Sequence, residues 1–342
     1  MAKGGTSQRV LVAGAAGFIG SHLCDALIHR GDTVIGLDNF YTGLPRNIAH
    51  LKEHPQFTFV RADVIDPLPL SLRADLIFNL ACAASPPHYQ ADPIHTMLTS
   101  VMGTRNLLAL AADCGARFVL ASTSEVYGDP LVHPQVESYF GNVNQTGPRA
   151  CYDEGKRAAE TLCFDYMRAG RADVRVARIF NTYGPRMRPD DGRVISNIIT
   201  QALENRDITI YGDGAQTRSF CFVSDLVAGL LLLASHRSAI SKAINLGNPT
   251  ELTVCELAAR VLAMTGSRSS IALMDLPVDD PKRRKPDITA AQRLLGWTPK
   301  VPLEEGLHDT IRWFAAAHLK PTVQDLRQRV RASHQINSPR SA

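Results

Sequence analysis

No stretch of the 342-residue chain is apolar for the length of a membrane span, and no short basic, apolar and small-residue leader opens it. The expected location is the cytoplasm, with no membrane partner. Seven cysteines are scattered without a C-x-x-C pair or any Cys/His spacing that would ligate a metal. They read as small buried hydrophobes in a reducing compartment, and no metal site is expected. A dominant charge is lacking too: 37 Lys and Arg face 33 Asp and Glu, for a formal net charge of +4. No nucleic-acid partner is expected, although the run "KRRK" at 282–285 needs its own explanation.

What the chain has is a 45% hydrophobic composition, enough at this length to bury one large core and a smaller lobe. Near its start stands "RVLVAGAAGFIGSHLCDALIHRGDTVIGLDNF". Arg9 to Ala13 is an apolar run suited to a buried parallel strand, and Gly14, Gly17 and Gly20 follow directly as G-x-x-G-x-x-G. Leu23, Ala26 and Leu27 recur at helical spacing before a glycine stop at Gly31, and Thr33 to Leu37 form a second strand. A lone glycine pattern is weak evidence. Between a strand and a helix, it lets the backbone approach a pyrophosphate at the helix N-terminus. Asp38 closes the second strand 18 residues after Gly20. A carboxylate there accepts from the adenosine ribose and repels a 2′-phosphate, so the expected cofactor is NAD, not NADP.

Strands and helices keep alternating to about Ile179, with strand-like runs at 57–60, 75–81, 117–123 and 174–180. That pattern predicts an α/β fold, a Rossmann-type doubly wound parallel sheet. Beyond Asn181 loops lengthen, strands shorten, and helical patterns fall near 193–205, 224–235, 253–265 and 302–317. The expected organisation is a disordered start over 1–8, a NAD-binding domain over 9–180, a smaller C-terminal lobe over 181–318 and a tail over 319–342.

In such folds ligands lie beyond the carboxyl ends of the strands, and "ASTSEVYGDP" places Thr123, Ser124 and Glu125 at one of them. Tyr152 follows 27 residues after Glu125, and Lys156 comes one helical turn later on the same face. Alone, Y-x-x-x-K more often marks a solvated helix. Beside a nicotinamide site it has a chemical use. An ammonium beneath a phenol lowers the phenol's pKa, and the phenolate can take the proton of an alcohol whose carbon gives up hydride.

In order along the chain, "GAAGFIGSHL", "LDNFYTG", "ASTSEVYGDPLVHPQ", "GPRACYDEGKRAAETL", "VARIFNTYGPRM", "DDGRVISN", "QTRSF", "NLGNP" and "KRRKPDI" carry a resemblance. The chain resembles the extended short-chain dehydrogenase/reductase superfamily and, within it, the UDP-glucuronate decarboxylases, also called UDP-xylose synthases. The similarity covers about residues 8–318. It implies that NAD takes and returns a hydride at C4 of UDP-glucuronate, and that the resulting ketone lets C6 leave as carbon dioxide. Tyr152 would be the base, Lys156 would hold the phenolate and the nicotinamide ribose, and Thr123 would bond the substrate oxygen. Ser124 stands where the related 4,6-dehydratases carry Asp, a proton donor that decarboxylation does not need. Glu125 would orient a water or the sugar.

By the same resemblance, Phe18, Ile19, Asn39, Phe40, Thr42 and Gly43 join the glycine loop and Asp38 around the cofactor. Asp63 and Val64 would flank the adenine, and Leu80, Ala81 and Thr99 the ribose and pyrophosphate. Asn181, Arg193, Arg218 and Arg284 would hold the nucleotide diphosphate, which gives "KRRK" a use without nucleic acid. The lobe over 181–318 would then mainly bind the nucleotide sugar, and a homodimer through helices near 92–114 and 150–170 is expected. Leu98, where lysine is common, and "NQTG" at 144–147 depart from the family pattern. A 4-epimerase, a 4,6-dehydratase and a non-catalytic dinucleotide-binding protein are the alternatives.

Overall fold

The structure, a computed structural model, describes residues 7–275 and 283–318. The first strand, β1 (Arg9–Ala13), explains its own composition: Val10 and Val12 pack into the core on one face of the sheet, Leu11 and Ala13 into the core on the other. A strand covered on both sides has no place for an inward polar side chain. After it come α1 (Phe18–Arg30), β2 (Thr33–Asp38), β3 (Phe57–Arg61), β4 (Leu76–Asn79), α2 (Pro86–Ala91), α3 (Pro93–Leu98), α4 (Thr104–Cys114), β5 (Arg117–Thr123), α5 (Ala150–Arg168) and β6 (Asp173–Ile179). The second half runs β7 (Thr182–Tyr183), α6 (Val194–Leu203), β8 (Ile208–Tyr211), β9 (Thr217–Ser219), β10 (Cys221–Phe222), α7 (Val223–Ser235), β11 (Ile244–Leu246) and β12 (Glu251–Thr253). It ends with α8 (Val254–Thr265), β13 (Ile271–Met274), β14 (Arg283–Arg284), α9 (Thr289–Leu295) and α10 (Leu303–His318).

The main sheet has seven parallel strands in the order β11-β6-β5-β4-β1-β2-β3. Leu23 and Leu27 of α1 and Leu226 and Leu230 of α7 fill one face; Leu107 and Ala111 of α4 and Ala159 and Cys163 of α5 fill the other. Strand order reverses between β1 and β4, which places the ligand crevice beyond their carboxyl ends. Ile198 of α6, Leu257 and Val261 of α8, and Leu307 and Phe314 of α10 form a separate core for the smaller lobe.

The expected boundary at 180 divides the sequence but not the sheet. After α6 the chain returns: α7 lies on α1, and β11 adds to β6 with Ile244 opposite Ala177 and Leu246 opposite Ile179. Three residues are too few to show a period, and long-range pairing alone fixes their place. The expected disorder at the N-terminus is also corrected at its end. Ser7 Oγ donates to the Gly31 carbonyl (2.9 Å), and Gln8 N donates to Asp32 Oδ1 (3.1 Å). Residues 1–6, the tail at 319–342 and Lys282 of "KRRK" lie outside the described residues. Among the described residues no helix is long and apolar enough to cross a membrane, and no group of His, Cys, Asp and Glu could hold a metal ion.

Candidate active site

A cavity of about 520 Å³ opens at the carboxyl ends of the strands, walled on the far side by the smaller lobe. Gly14, Gly17, Phe18, Ile19 and Gly20 form part of its lining. Gly14 has φ +83°, in the left-handed region, and a Cβ there would stand 2.8 Å from the Leu80 backbone. A Cβ on Gly20 would stand 2.0 Å from the Gly14 carbonyl oxygen. The turn therefore packs backbone against backbone. Helix α1 begins at Gly17 without a side-chain cap, so its first N–H groups meet no side-chain acceptor, as a phosphate site requires.

Asp38 ends β2 beside this turn, its Oδ2 accepting from Ala16 N (2.9 Å) and its Oδ1 from Phe40 N (2.7 Å). Burial pushes its pKa up, and the two amide donors work against that. A Cβ on Gly43 would stand 2.7 Å from Oδ1, so the loop can cross the carboxylate only at a glycine. Asn39, Thr42 and Gly43 line the cavity. The Phe40 ring stacks on Phe59 (5.0 Å) against the hydrophobic core, and its N–H donates to Asp38. Asp63 and Val64 follow on the next strand end, and Asp63 accepts from Asn39 Nδ2 (2.6 Å), His95 Nε2 (2.9 Å) and Ile65 N (3.1 Å). Burial would raise the Asp63 pKa, yet these donors hold it below the usual carboxylate range. Leu80, Ala81 and Thr99 line the cavity between the two ends. The uncapped turn, the tethered carboxylate and the strand-end loops together fit a dinucleotide.

Beyond β5, Thr123, Ser124 and Glu125 face the same cavity as Tyr152 and Lys156. Thr123 Oγ1 accepts from Glu125 N (3.2 Å), which fixes the turn, and Lys156 Nζ donates to the Ala121 carbonyl (3.0 Å). One turn further along α5, Glu160 accepts from Ser122 Oγ (2.5 Å) and Arg178 Nη2 (2.8 Å), which welds the helix to β5 and β6. Burial, with Cys82 nearby, pushes the Tyr152 phenol well above its ordinary value, and a hydrogen bond with Thr123 opposes this only in part. Tyr89, which the sequence reading missed, stacks on Tyr152 with ring centroids 5.2 Å apart.

Glu125, expected to orient a water or the sugar, is bonded to two arginines: Oε2 accepts from Arg149 Nη2 (2.8 Å) and Oε1 lies 2.8 Å from Arg284 Nη1. Burial would raise the Glu125 pKa, but the two guanidinium groups hold it below the usual range. Arg284 thus meets Glu125, with Asn181 Oδ1 at 3.5 Å. Arg218 stands in register beside Arg284 on β9 and also faces the cavity, while Arg193 precedes α6 and lies 3.1 Å from Asp191. Arg149 was missed because its link to Glu125 exists only in the folded chain. Asp153, one turn beyond Arg149, is buried, and burial together with the Glu125 charge pushes its carboxyl up to about 8.

A profile of the NAD dependent epimerase/dehydratase family matches residues 10–247. The chain is 56% identical over 299 residues to UDP-glucuronic acid decarboxylase 2 of Arabidopsis thaliana, covering 87% of this chain and 66% of that protein. It is 54% identical over 308 residues to UDP-glucuronic acid decarboxylase 1 of Danio rerio, covering 90% and 73%. Among solved structures it is similar to UDP-glucuronic acid 4-epimerase from Bacillus cereus in complex with UDP-glucuronic acid and NAD. That similarity has 29% identity and a TM-score of 0.81, over 90% of this chain and 99% of the other.

Proposed function

This chain belongs to the NAD dependent epimerase/dehydratase family, and we propose that it decarboxylates UDP-glucuronate to UDP-xylose with NAD as its resident cofactor. The relatives' activity and the cavity's chemistry both support this. NAD, held by the glycine turn and Asp38, would supply the acceptor for the C4 hydride and the donor that returns it. Tyr152 takes the proton of the C4 hydroxyl and later gives it back, and Thr123 hydrogen-bonds the same oxygen. Burial keeps the free phenol neutral, so positive charge must gather beside it; Lys156, one turn away, is the protein's share of that charge. Once C4 is a ketone the sugar is a β-keto acid. Its C6 carboxylate leaves as carbon dioxide, the electrons pass toward the C4 oxygen, and C5 takes a proton.

The observation that carries this reading is the group of residues around Ser124. A serine that donates protons poorly at neutral pH lies between Thr123 and a glutamate held by two arginines, on one cavity with Tyr152 and Lys156. Expulsion of a hydroxyl would need an acid there. Loss of carbon dioxide needs none, and the arginines answer the anionic sugar with charge. Asn181, Arg193 and Arg218 are read as the diphosphate contacts, together with Arg284, which also pairs with Glu125. A homodimer through the helices near 92–114 and 150–170 is supported by Ile94 at 74% and Leu98 at 41% exposure on α3, and a cytoplasmic site by seven free cysteines. Incubation of NAD-loaded protein with UDP-glucuronate is expected to yield carbon dioxide and UDP-xylose. Recovery of UDP-glucuronate or its C4 epimer alone would overturn the assignment.

A further inference from the structure

Three segments meet at the cavity, joined by two hydrogen bonds to the loop after Asp38. Arg188, in the loop before α6, donates from Nη1 to the Thr42 carbonyl (3.4 Å) and holds the Asp190 carboxylate through Nε (2.8 Å) and Nη2 (2.7 Å). Asp190 lies within electrostatic reach of His88 at the start of α2. The His88 ring is fixed by Ser85 Oγ (2.7 Å), and its carbonyl accepts from Tyr41 Oη (3.3 Å). The two bonds to the Asp38 loop thus end on neighbouring residues, Thr42 and Tyr41.

The loop that carries Arg188 is anchored at both ends. His22 Nε2 lies 2.9 Å from the Pro185 carbonyl, and Arg186 pairs with Asp25 (2.7 Å). A Cβ on Gly192 would stand 2.5 Å from the Pro87 ring. Arg186 takes φ +71°, a left-handed backbone that residues with side chains seldom adopt, so the surroundings impose this shape. By contrast, the two bonds to the Asp38 loop are long and each ends on a carbonyl. They are the links that open most readily.

We infer that Arg188 is the pin of a clasp over the cofactor cleft: NAD enters and leaves only when the Arg188–Thr42 and Tyr41–His88 contacts part. Tyr41, Thr42, His88 and Arg188 line the same cavity as Asp38 and the glycine turn, so the smaller lobe reaches over the adenosine end of the cleft. The clasp governs how long NAD stays and leaves how well it is contacted to the strands beneath. The proposed reaction returns its hydride, so it needs a residence longer than one turnover. The inference rests on the NAD-binding reading above.

The test is the exchange of radiolabelled NAD, with association and dissociation rates measured on the full-length protein. Arg188→Ala is expected to raise both rates about three- to tenfold, the range for losing one modest hydrogen bond, and to leave Kd within about twofold. Tyr41→Phe is expected to shift both rates in the same direction by less. Asp190→Asn, which unseats the guanidinium without removing it, is expected to reproduce Arg188→Ala and serves if that variant folds poorly. Unchanged rates in all three variants would overturn the clasp. A rise in dissociation alone would also overturn it, because Arg188 would then be an NAD contact and not a gate. Protein that exchanges NAD as expected but releases no carbon dioxide would refute the decarboxylase reading and leave the clasp standing.

Discussion

Tyr152 is 5% exposed and stacked on Tyr89, and its phenol is the base of the proposed reaction. Tyr152→Phe removes only the hydroxyl, so turnover is expected to fall about 10²-fold or more with NAD still bound. Steady-state decarboxylation and cofactor content together check this, and near-normal turnover would move the base elsewhere. Asp38 gives a second expectation, a strong preference for NAD over NADP in titrations of cofactor-free protein. Arg188 reaches the loop that follows Asp38, but Asp190 already neutralises it, so the carboxylate still meets a 2′-phosphate as a repelling charge. Equal affinities would refute this reading. Asp153 carries a pH dependence whose sign is fixed. Its folded pKa, raised to about 8, means that the native state binds more protons than the unfolded chain between about pH 4 and pH 8. Stability therefore falls as pH rises through that window. Asp153→Asn is expected to match wild type in melting temperature near pH 4 and to exceed it at pH 8; an offset that did not vary with pH would contradict the account.

Among the elements, the β1–α1 turn was the most legible in the sequence, because glycine spacing reports backbone contacts that no side chain would allow. Gly20→Ala tests it: a Cβ 2.0 Å from the Gly14 carbonyl must force the turn apart. The expected result is NAD affinity reduced by at least about tenfold, seen by calorimetry, from displacement of the phosphate-binding amides. Unchanged affinity would show that the turn is not the cradle. Helix α5 was legible as a carrier of Tyr152 and Lys156, since i and i+4 share a face. The environment of that face was not, because burial at the Tyr152 phenol depends on α2 and β5 closing around it. Arg149 and Tyr89 escaped the sequence reading for the same reason: one meets Glu125 and the other Tyr152 only through tertiary packing. The stacking of Phe40 on Phe59 was not legible, because motif position does not say which way a ring turns. The short strand β11 was missed because pairing with β6, not local pattern, makes it a strand.

At the scale of the whole molecule, a doubly wound sheet supplies the NAD cleft and the catalytic strand end, and the smaller lobe brings Arg193, Arg218 and Arg284 to the same cavity. Oxidation at C4 and the charge that receives a sugar acid thus meet at one point. The central claim is that the C4 ketone is made in order to release C6. Turnover of UDP-glucuronate in heavy water, followed by mass spectrometry of the nucleotide sugars, tests this most directly. The account requires carbon dioxide, UDP-xylose carrying one deuterium at C5, and no lasting absorbance from reduced cofactor. A product that keeps its carboxylate and gains no deuterium at C5 would contradict it.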